Sequence, residues 1–158
     1  MSPNPIGDNV GQLELAINRS VDEYLNTMLP DMNKLLEGLG GNVLENSQLS
    51  NFAVVTQDTG SVEVVKNYIR YQMGRDDKGR TWRKRVGPEQ FGDRLIAAID
   101  GLHKVAESFV TLHGGGLDEA QSQAHINSTW IALTRLYAGY MRRYLYYMNA
   151  QKGGGRPS

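Results

Sequence analysis

The sequence predicts an all-α protein, a compact bundle of about five helices that ends in a long, aromatic-rich C-terminal helix. Three observations predict this fold class. Apolar residues recur at three- and four-residue spacing along most of the chain. Glycines and prolines separate these periodic segments. A chain of 158 residues that is 40% hydrophobic and 22% charged is long and apolar enough to bury a core of its own.

The composition predicts one domain with two flexible ends. Residues 1–11 hold two prolines and two glycines and are predicted to be a flexible lead-in. Residues 12–151 form the predicted single helical domain, and 152–158 a flexible tail. The chain has no cysteine, no cationic and apolar start typical of a signal peptide, and no apolar stretch near the roughly 20 residues of a membrane span. We therefore expect a cytoplasmic protein without a membrane partner.

Three helical segments are predicted in the first half of the chain. From Gln12 to Met28, apolar residues line one face of a predicted helix. Pro30 should interrupt it, because a proline ring clashes with the preceding helical turn. A short helix from Asp31 to Leu36 then ends at a glycine cluster. The apolar run Leu49–Val55 cannot be assigned by periodicity alone, and we favour helix.

The middle of the chain contains two predicted helices around a polar turn. The first runs from Val62 to about Met73, with Ser61 as its N-cap. A turn over 74–79 follows, and 81–86 is left open between strand, loop and helical turn. Gly87-Pro88 should begin the next helix, since proline is tolerated at a first helical position. The buried stripe of that helix is Phe91, Leu95, Ile99, Leu102, Ala106 and Phe109.

The last predicted helix runs from Glu119 to about Gln151. Asp118 and Gln121 resemble a capping box before it. Its packing seam follows the 3–4–3–4 spacing of a helix interface. The seam is Trp130, Leu133, Tyr137, Tyr140 and Tyr144. Further tyrosines near the C-terminus are too many for one seam, which indicates a subunit interface in addition to a core.

A formal net charge of zero conceals strong charge segregation along the chain. Residues 1–65 carry nine acids and two bases, whereas 66–94 carry nine bases and four acids. Residues 95–134 have a net charge of −3, and 135–158 hold five bases and no acid. If the two basic stretches lay next to each other in the fold, they would form a site that binds a polyanion. The acidic N-terminal stretch could dock on the basic part of a neighbouring copy.

The basic stretches supply a predicted nucleic-acid site. Arginine outnumbers lysine in the first basic stretch. The arginine guanidinium can donate two hydrogen bonds to phosphate oxygens and can stack on bases. Trp82 is either a core anchor or a stacking platform for an unpaired base. The alternative for all these cations is a solvated or protein-facing surface. The predicted site comprises Lys66, Arg70, Arg75, Lys78, Arg80, Trp82, Arg83, Lys84, Arg85, Arg135, Arg142 and Arg143.

Signals for catalysis, metals and cofactors are weak. His103, His113 and His125 have neither the spacing of a helical metal pair nor a cysteine partner. Residues 113–116 (His-Gly-Gly-Gly) match the oxyanion loop of lipases, but the chain has no Gly-x-Ser-x-Gly nucleophile motif. We therefore expect no enzyme activity, no metal and no cofactor.

The segment NFAVVTQDTGSVEVVKNYIRYQMGR (51–75), the helix from Phe91 to Phe109 and the aromatic C-terminal helix resemble the small subunit of a type III CRISPR effector complex. The resemblance covers roughly residues 49–150. It implies an all-helical, non-catalytic subunit that stacks in several copies along a filament beside other subunits and contacts the guide RNA and target strand. The acidity of the first 65 residues is a departure from the family pattern. The alternatives are a helical protein–protein adaptor and a small enzyme.

Overall fold

In the part of the chain that the structure describes, the fold is a bundle of five helices with one small hairpin between the third and the fourth. The structure is a computed structural model that describes residues 5–154, with side chains for 11–151. The elements are α1 (Pro5–Leu39), α2 (Asn46–Asp58), α3 (Val62–Arg75), β1 (Arg85–Val86), β2 (Glu89–Gln90), α4 (Phe91–His113) and α5 (Glu119–Gly154). The predicted all-α fold class is confirmed.

α1 corrects two predictions about the N-terminal region. Residues 5–11, predicted to be a flexible lead-in, belong to the helix, and residues 1–4 lie outside the described part. Pro30 does not interrupt α1. Pro30 and Asn26 are exposed, so water can donate a hydrogen bond to the Asn26 carbonyl, which has no N–H donor at Pro30. Met28 and Met32 are buried on the opposite face of the helix. The tail residues 152–154 continue α5, and 155–158 are not described.

The core lies where α1, α4 and α2 pack along α5. Leu36, Leu49, Ile99, Leu133 and Leu145 are essentially inaccessible to solvent. The capping box predicted before α5 is present, since Asp118 Oδ1 accepts from the Gln121 N–H while Gln121 Oε1 accepts from the Asp118 N–H. Trp130 of the predicted seam donates its indole N–H to the Ile99 carbonyl at 2.8 Å.

Gly87-Pro88 forms a hairpin turn, which corrects the prediction that it begins a helix. Arg85 pairs with Gln90 and Val86 with Glu89 in an antiparallel register. Gly87 has φ +65°, which glycine adopts at no steric cost at the first central position of a two-residue hairpin. The hairpin packs on α1, where a Cβ at Gly38 would lie 2.8 Å from Val86 Cγ1. α4 therefore begins three residues later than predicted.

Candidate nucleic-acid interface

Residues 75–85, from the last residue of α3 to the first residue of the hairpin, form what we call the cationic loop. It carries six cations and two carboxylates, a net charge of +4. All six cationic side chains are exposed: Arg75, Lys78, Arg80, Arg83, Lys84 and Arg85. Within the described residues the ion pairs are Lys66–Glu63, Lys66–Asp100 and His103–Glu107, so none uses a cation of this loop.

A single carboxylate fixes the backbone of the cationic loop. Asp76 Oδ1 accepts the N–H of Arg80 at 3.1 Å, and Oδ2 accepts those of Thr81 and Arg83 at 3.0 and 2.9 Å. Burial alone would raise the pKa of Asp76, but the hydrogen bonds from Arg83, Thr81 and Arg80 outweigh it and lower that pKa below its usual value. The ionised carboxylate therefore organises the loop while the cations point outward.

The other side of the loop is tied to the start of α4. The Phe91 N–H donates to the Lys84 carbonyl and the Gly92 N–H donates to the Trp82 carbonyl, both at 2.8 Å. These two donors would otherwise lack partners at the helix N-terminus. The backbone of the loop is thus hydrogen-bonded both internally and to α4, which presents its cations from a fixed scaffold.

Half of the loop cations surround one open recess, which we call the cationic recess. Its volume is about 530 Å³, and it lies between the loop, the end of α3 and the start of α2. Its lining residues are Gln48, Gln72, Arg75, Asp76, Asp77, Lys78, Arg80, Thr81 and Trp82. Cations on a hydrogen-bonded backbone, amide side chains and open access suit a phosphate-bearing strand.

Trp82 lies in the core, which corrects the alternative of a base-stacking platform. Only 1% of its surface is accessible, and its ring packs edge-on against Phe52 and Tyr68 and tilted against Phe91. Its indole N–H is buried without a partner among the described residues. Trp82 therefore anchors the cationic loop onto the bundle and offers no face to a base.

Lys66 also does not belong to the site, because it is paired with Asp100 of α4 and with Glu63 of its own helix, α3. Its side chain is buried, and its Nζ lies 2.8 Å from Asp100 and 3.3 Å from Glu63. The hydrogen bond to Asp100, opposed in part by burial and helped by Glu63, raises the pKa of Lys66. Arg70, one helical turn further along α3, is exposed and outside the lining of the recess.

Arg135 is the third predicted site residue that serves the fold. Its guanidinium donates to the carbonyls of Thr56 and Thr59, both at 2.9 Å, where α2 ends. The last carbonyls of a helix lack intrahelical donors, so Arg135 caps α2 from α5. The prediction that Arg135 contacts phosphate is therefore corrected to a capping role.

The two other cations of α5 whose side chains the structure describes do not line the cationic recess. Arg142 and Arg143 are exposed, and the Arg143 guanidinium lies 5.4 Å from the centroid of the Tyr140 ring. Arg143 lines a cavity of about 300 Å³ between α1 and α5. Neither arginine lines the recess. The two basic stretches therefore do not combine into the single site that their sequence positions suggested.

Sequence reasoning missed three polar or aromatic residues at this surface. Gln72 could have been found from its three-residue spacing to Arg75 on one helix. Gln48 comes from α2, and its place in the recess depends on tertiary packing. Tyr71 is 59% exposed beside Arg75, whose guanidinium lies 5.6 Å from the ring centroid.

Comparisons with known proteins add no assignment to this geometry. No protein-family model, no curated protein and no solved structure matches the chain. Among the described residues, no group of three or more His, Cys, Asp or Glu side chains is placed to hold a metal ion. In the same part of the chain, none of the helices has the length and apolar character needed to cross a bilayer.

Proposed function

We propose that this chain is a non-catalytic, nucleic-acid-binding structural subunit of a type III CRISPR RNA-guided effector complex. It contacts the guide RNA and the target strand through their phosphates, next to other subunits and in several copies. One observation carries the proposal: six exposed cations, none paired with a carboxylate among the described residues, stand on a loop that Asp76 holds in place. The resemblance over residues 49–150 supplies the effector-complex setting.

The proposed site comprises the exposed cations of the predicted set. The cationic loop is its centre, and Arg70 extends it along α3. Arg142 and Arg143 form a second, separate surface on α5. Contacts of this kind position a strand without reading its sequence. Binding should therefore be insensitive to base sequence and should weaken steeply with salt, because neutralised phosphates release counterions.

The test compares two variants with equal changes in net charge. The first replaces Arg75, Lys78 and Arg80 with glutamine, and the matched control replaces Arg19, Lys34 and Lys104, which are exposed on α1 and α4. Fluorescence anisotropy with a labelled RNA is measured at about 50 and 200 mM salt, with protein up to about 100 µM to reach weak affinities. Circular dichroism checks that both variants remain folded.

We expect the loop variant to lose most of the RNA affinity and to have a shallower salt slope, while the control stays close to wild type. Equal losses in both variants would mean that only net charge matters. No binding at low salt, by the isolated chain or within its native assembly, would overturn the proposal. Copurification of guide RNA with the native chain would test the effector-complex setting directly.

A second candidate is a helical protein–protein adaptor, favoured by the aromatic end of α5. Tyr146 and Tyr147 are 65% and 56% exposed there. Tyr147 and Leu29 also line the cavity between α1 and α5. Exposed aromatic side chains are enriched at protein interfaces. If the chain binds no RNA and copurifies only with proteins, the adaptor is the better assignment.

A further inference from the structure

We infer that Tyr71 is a base-stacking residue and that the strand held at the cationic recess carries unpaired nucleotides. This inference rests on the proposed function and narrows its ligand from nucleic acid in general to a single-stranded segment. The stacking residue is then Tyr71 of α3 and not the buried Trp82. Three features of the structure support it: exposure, orientation and proximity to the phosphate-binding cations.

Exposure distinguishes Tyr71 from the other aromatic residues around the loop. Tyr71 is 59% exposed, whereas Trp82 is 1% exposed and Phe52 and Phe91 are fully buried. Tyr68 is half-buried and packs against Trp82 and Phe52. Tyr71 is therefore the aromatic side chain of this region that has an accessible ring.

Arg75 holds the Tyr71 ring in a defined orientation. The two residues are four apart on α3, which places their side chains on one helical face. The guanidinium lies 5.6 Å from the ring centroid, within the range of a cation–π contact. A ring that is already oriented loses little side-chain entropy when a base stacks on it. The guanidinium covers one face of the ring, so a base stacks on the face that it leaves open.

Tyr71 also lies beside the cations that would hold the attached phosphates. The Arg75 guanidinium lies over the Tyr71 ring. Arg75 also lines the cationic recess, together with Lys78 and Arg80. A nucleotide whose base stacks on Tyr71 therefore has its phosphate next to the recess. Aromatic platforms beside a cationic groove are the usual means of binding single strands. Bases in a duplex are already stacked, so pulling one out costs free energy.

The experiment uses the full chain and two RNA probes of the same sequence, one single-stranded and one a blunt duplex. Tyr71→Ala removes the ring, Tyr71→Leu keeps apolar bulk without a π face, and Tyr71→Phe restores the ring. Tyr146→Ala is the matched control, because Tyr146 is 65% exposed and lies on α5, where it lines a different recess. A 2-aminopurine base in the single strand reports stacking directly through quenching of its fluorescence.

We expect Tyr71→Ala and Tyr71→Leu to weaken single-strand binding by about 5- to 150-fold, the range for loss of one stacked base, without changing the salt slope. Duplex binding should not change, Tyr71→Phe and Tyr146→Ala should match wild type, and 2-aminopurine quenching should disappear in Tyr71→Ala. Equal affinities of wild type and Tyr71→Ala, or equal losses for both probes, would overturn the inference but leave the proposed function intact. Absence of RNA binding in wild type would overturn both.

Discussion

Two residues one helical turn apart on α3 show how local surroundings decide the role of a cation. Lys66 and Arg70 look equivalent in the sequence, and both were predicted to face phosphate. Lys66 is buried against α4, where Asp100 and Glu63 neutralise it. Arg70 is exposed. A cation that is already paired must give up its carboxylates before it can bind a phosphate, so Lys66 belongs to the fold.

Lys66→Met should lower stability and leave RNA affinity unchanged. Methionine keeps the buried aliphatic stem but removes the ion pairs, and because both carboxylates are at least half exposed we expect a loss of about 1 kcal/mol. Urea unfolding at neutral pH measures the loss, and RNA anisotropy provides the second readout. Loss of RNA affinity in a folded Lys66→Met variant would show that Lys66 contacts RNA.

The same prediction has a pH dependence whose sign follows from the raised pKa of Lys66. The folded state holds the proton more tightly than the unfolded chain, so the stabilisation is fully present below the ordinary lysine pKa of about 10.4 and is lost as the pH rises through the folded pKa. The difference in stability between wild type and Lys66→Met should therefore shrink in strongly alkaline solution. A constant difference there would contradict the ion-pair explanation.

The aromatic residues mark the limit of sequence reasoning at the residue scale. Composition showed that Tyr68, Tyr71 and Trp82 are interleaved with cations. It could not show which ring is accessible, because that depends on Phe52 of α2 and Phe91 of α4 closing over Trp82. The cationic character of the site was predictable from residue types, whereas the accessible ring and the role of Gln48 required the tertiary packing.

At the scale of elements, the cationic loop depends on one carboxylate. Asp76→Ala removes the acceptor for three backbone N–H groups. The exposed N–H groups of Arg80 and Arg83 can then donate to water, which limits the loss of stability. We expect a stability loss of about 1–2 kcal/mol and faster amide hydrogen exchange at residues 80, 81 and 83. The neighbouring exposed residue Asp77 supplies the control, because its carboxylate accepts none of these three N–H groups. Unchanged exchange in Asp76→Ala would show that other contacts order the loop.

Acid should loosen the loop in a way that identifies Asp76. Its pKa is lowered in the folded state, so its contribution is present above the ordinary aspartate pKa and is lost as the pH falls through the folded value. Amide chemical shifts of Thr81 and Arg83 should therefore move together below about pH 4. Asp77→Ala should retain this titration. If the two amides do not titrate with a common midpoint, Asp76 is not the group responsible.

The helices themselves were largely predictable, and the exceptions have physical causes. Amphipathic spacing located α3, α4 and α5, and the Asp118–Gln121 box marked the start of α5, because these are local signals. Periodicity alone did not assign α2. Pro30 misled the prediction for α1, since burial of Met28 and Met32 on the opposite face outweighs one lost backbone hydrogen bond. The hairpin was missed because Gly87-Pro88 is compatible both with a turn and with a helix start.

At the scale of the whole molecule, charge segregation survives folding only in part. The cationic loop forms one positive surface, Arg142 and Arg143 form another, and Arg135 is used inside the bundle. The acidic N-terminal stretch forms α1, α2 and the start of α3, and α1 exposes Asp22, Glu23 and Asp31. One copy therefore presents both an acidic helix and a basic loop, and two copies can pair them head to tail.

This dipolar surface leads to a prediction about self-association that can be tested by exchanging charges between copies. Wild-type chains should associate at low ionic strength and separate at about 1 M salt, where the screening length falls to about 3 Å. One variant reverses the charge of the cationic loop (Arg75, Lys78 and Arg80 to Glu). A second variant reverses the charge of α1 (Asp22, Glu23 and Asp31 to Lys). Each variant alone should sediment as a monomer, because its α1 and its loop then carry like charge. An equimolar mixture should associate again, since the acidic loop of one copy meets the basic α1 of the other. Sedimentation velocity measures all four samples. Association of wild type that persists in high salt, or a mixture that stays monomeric, would show that α1 and the cationic loop do not form the contact between copies.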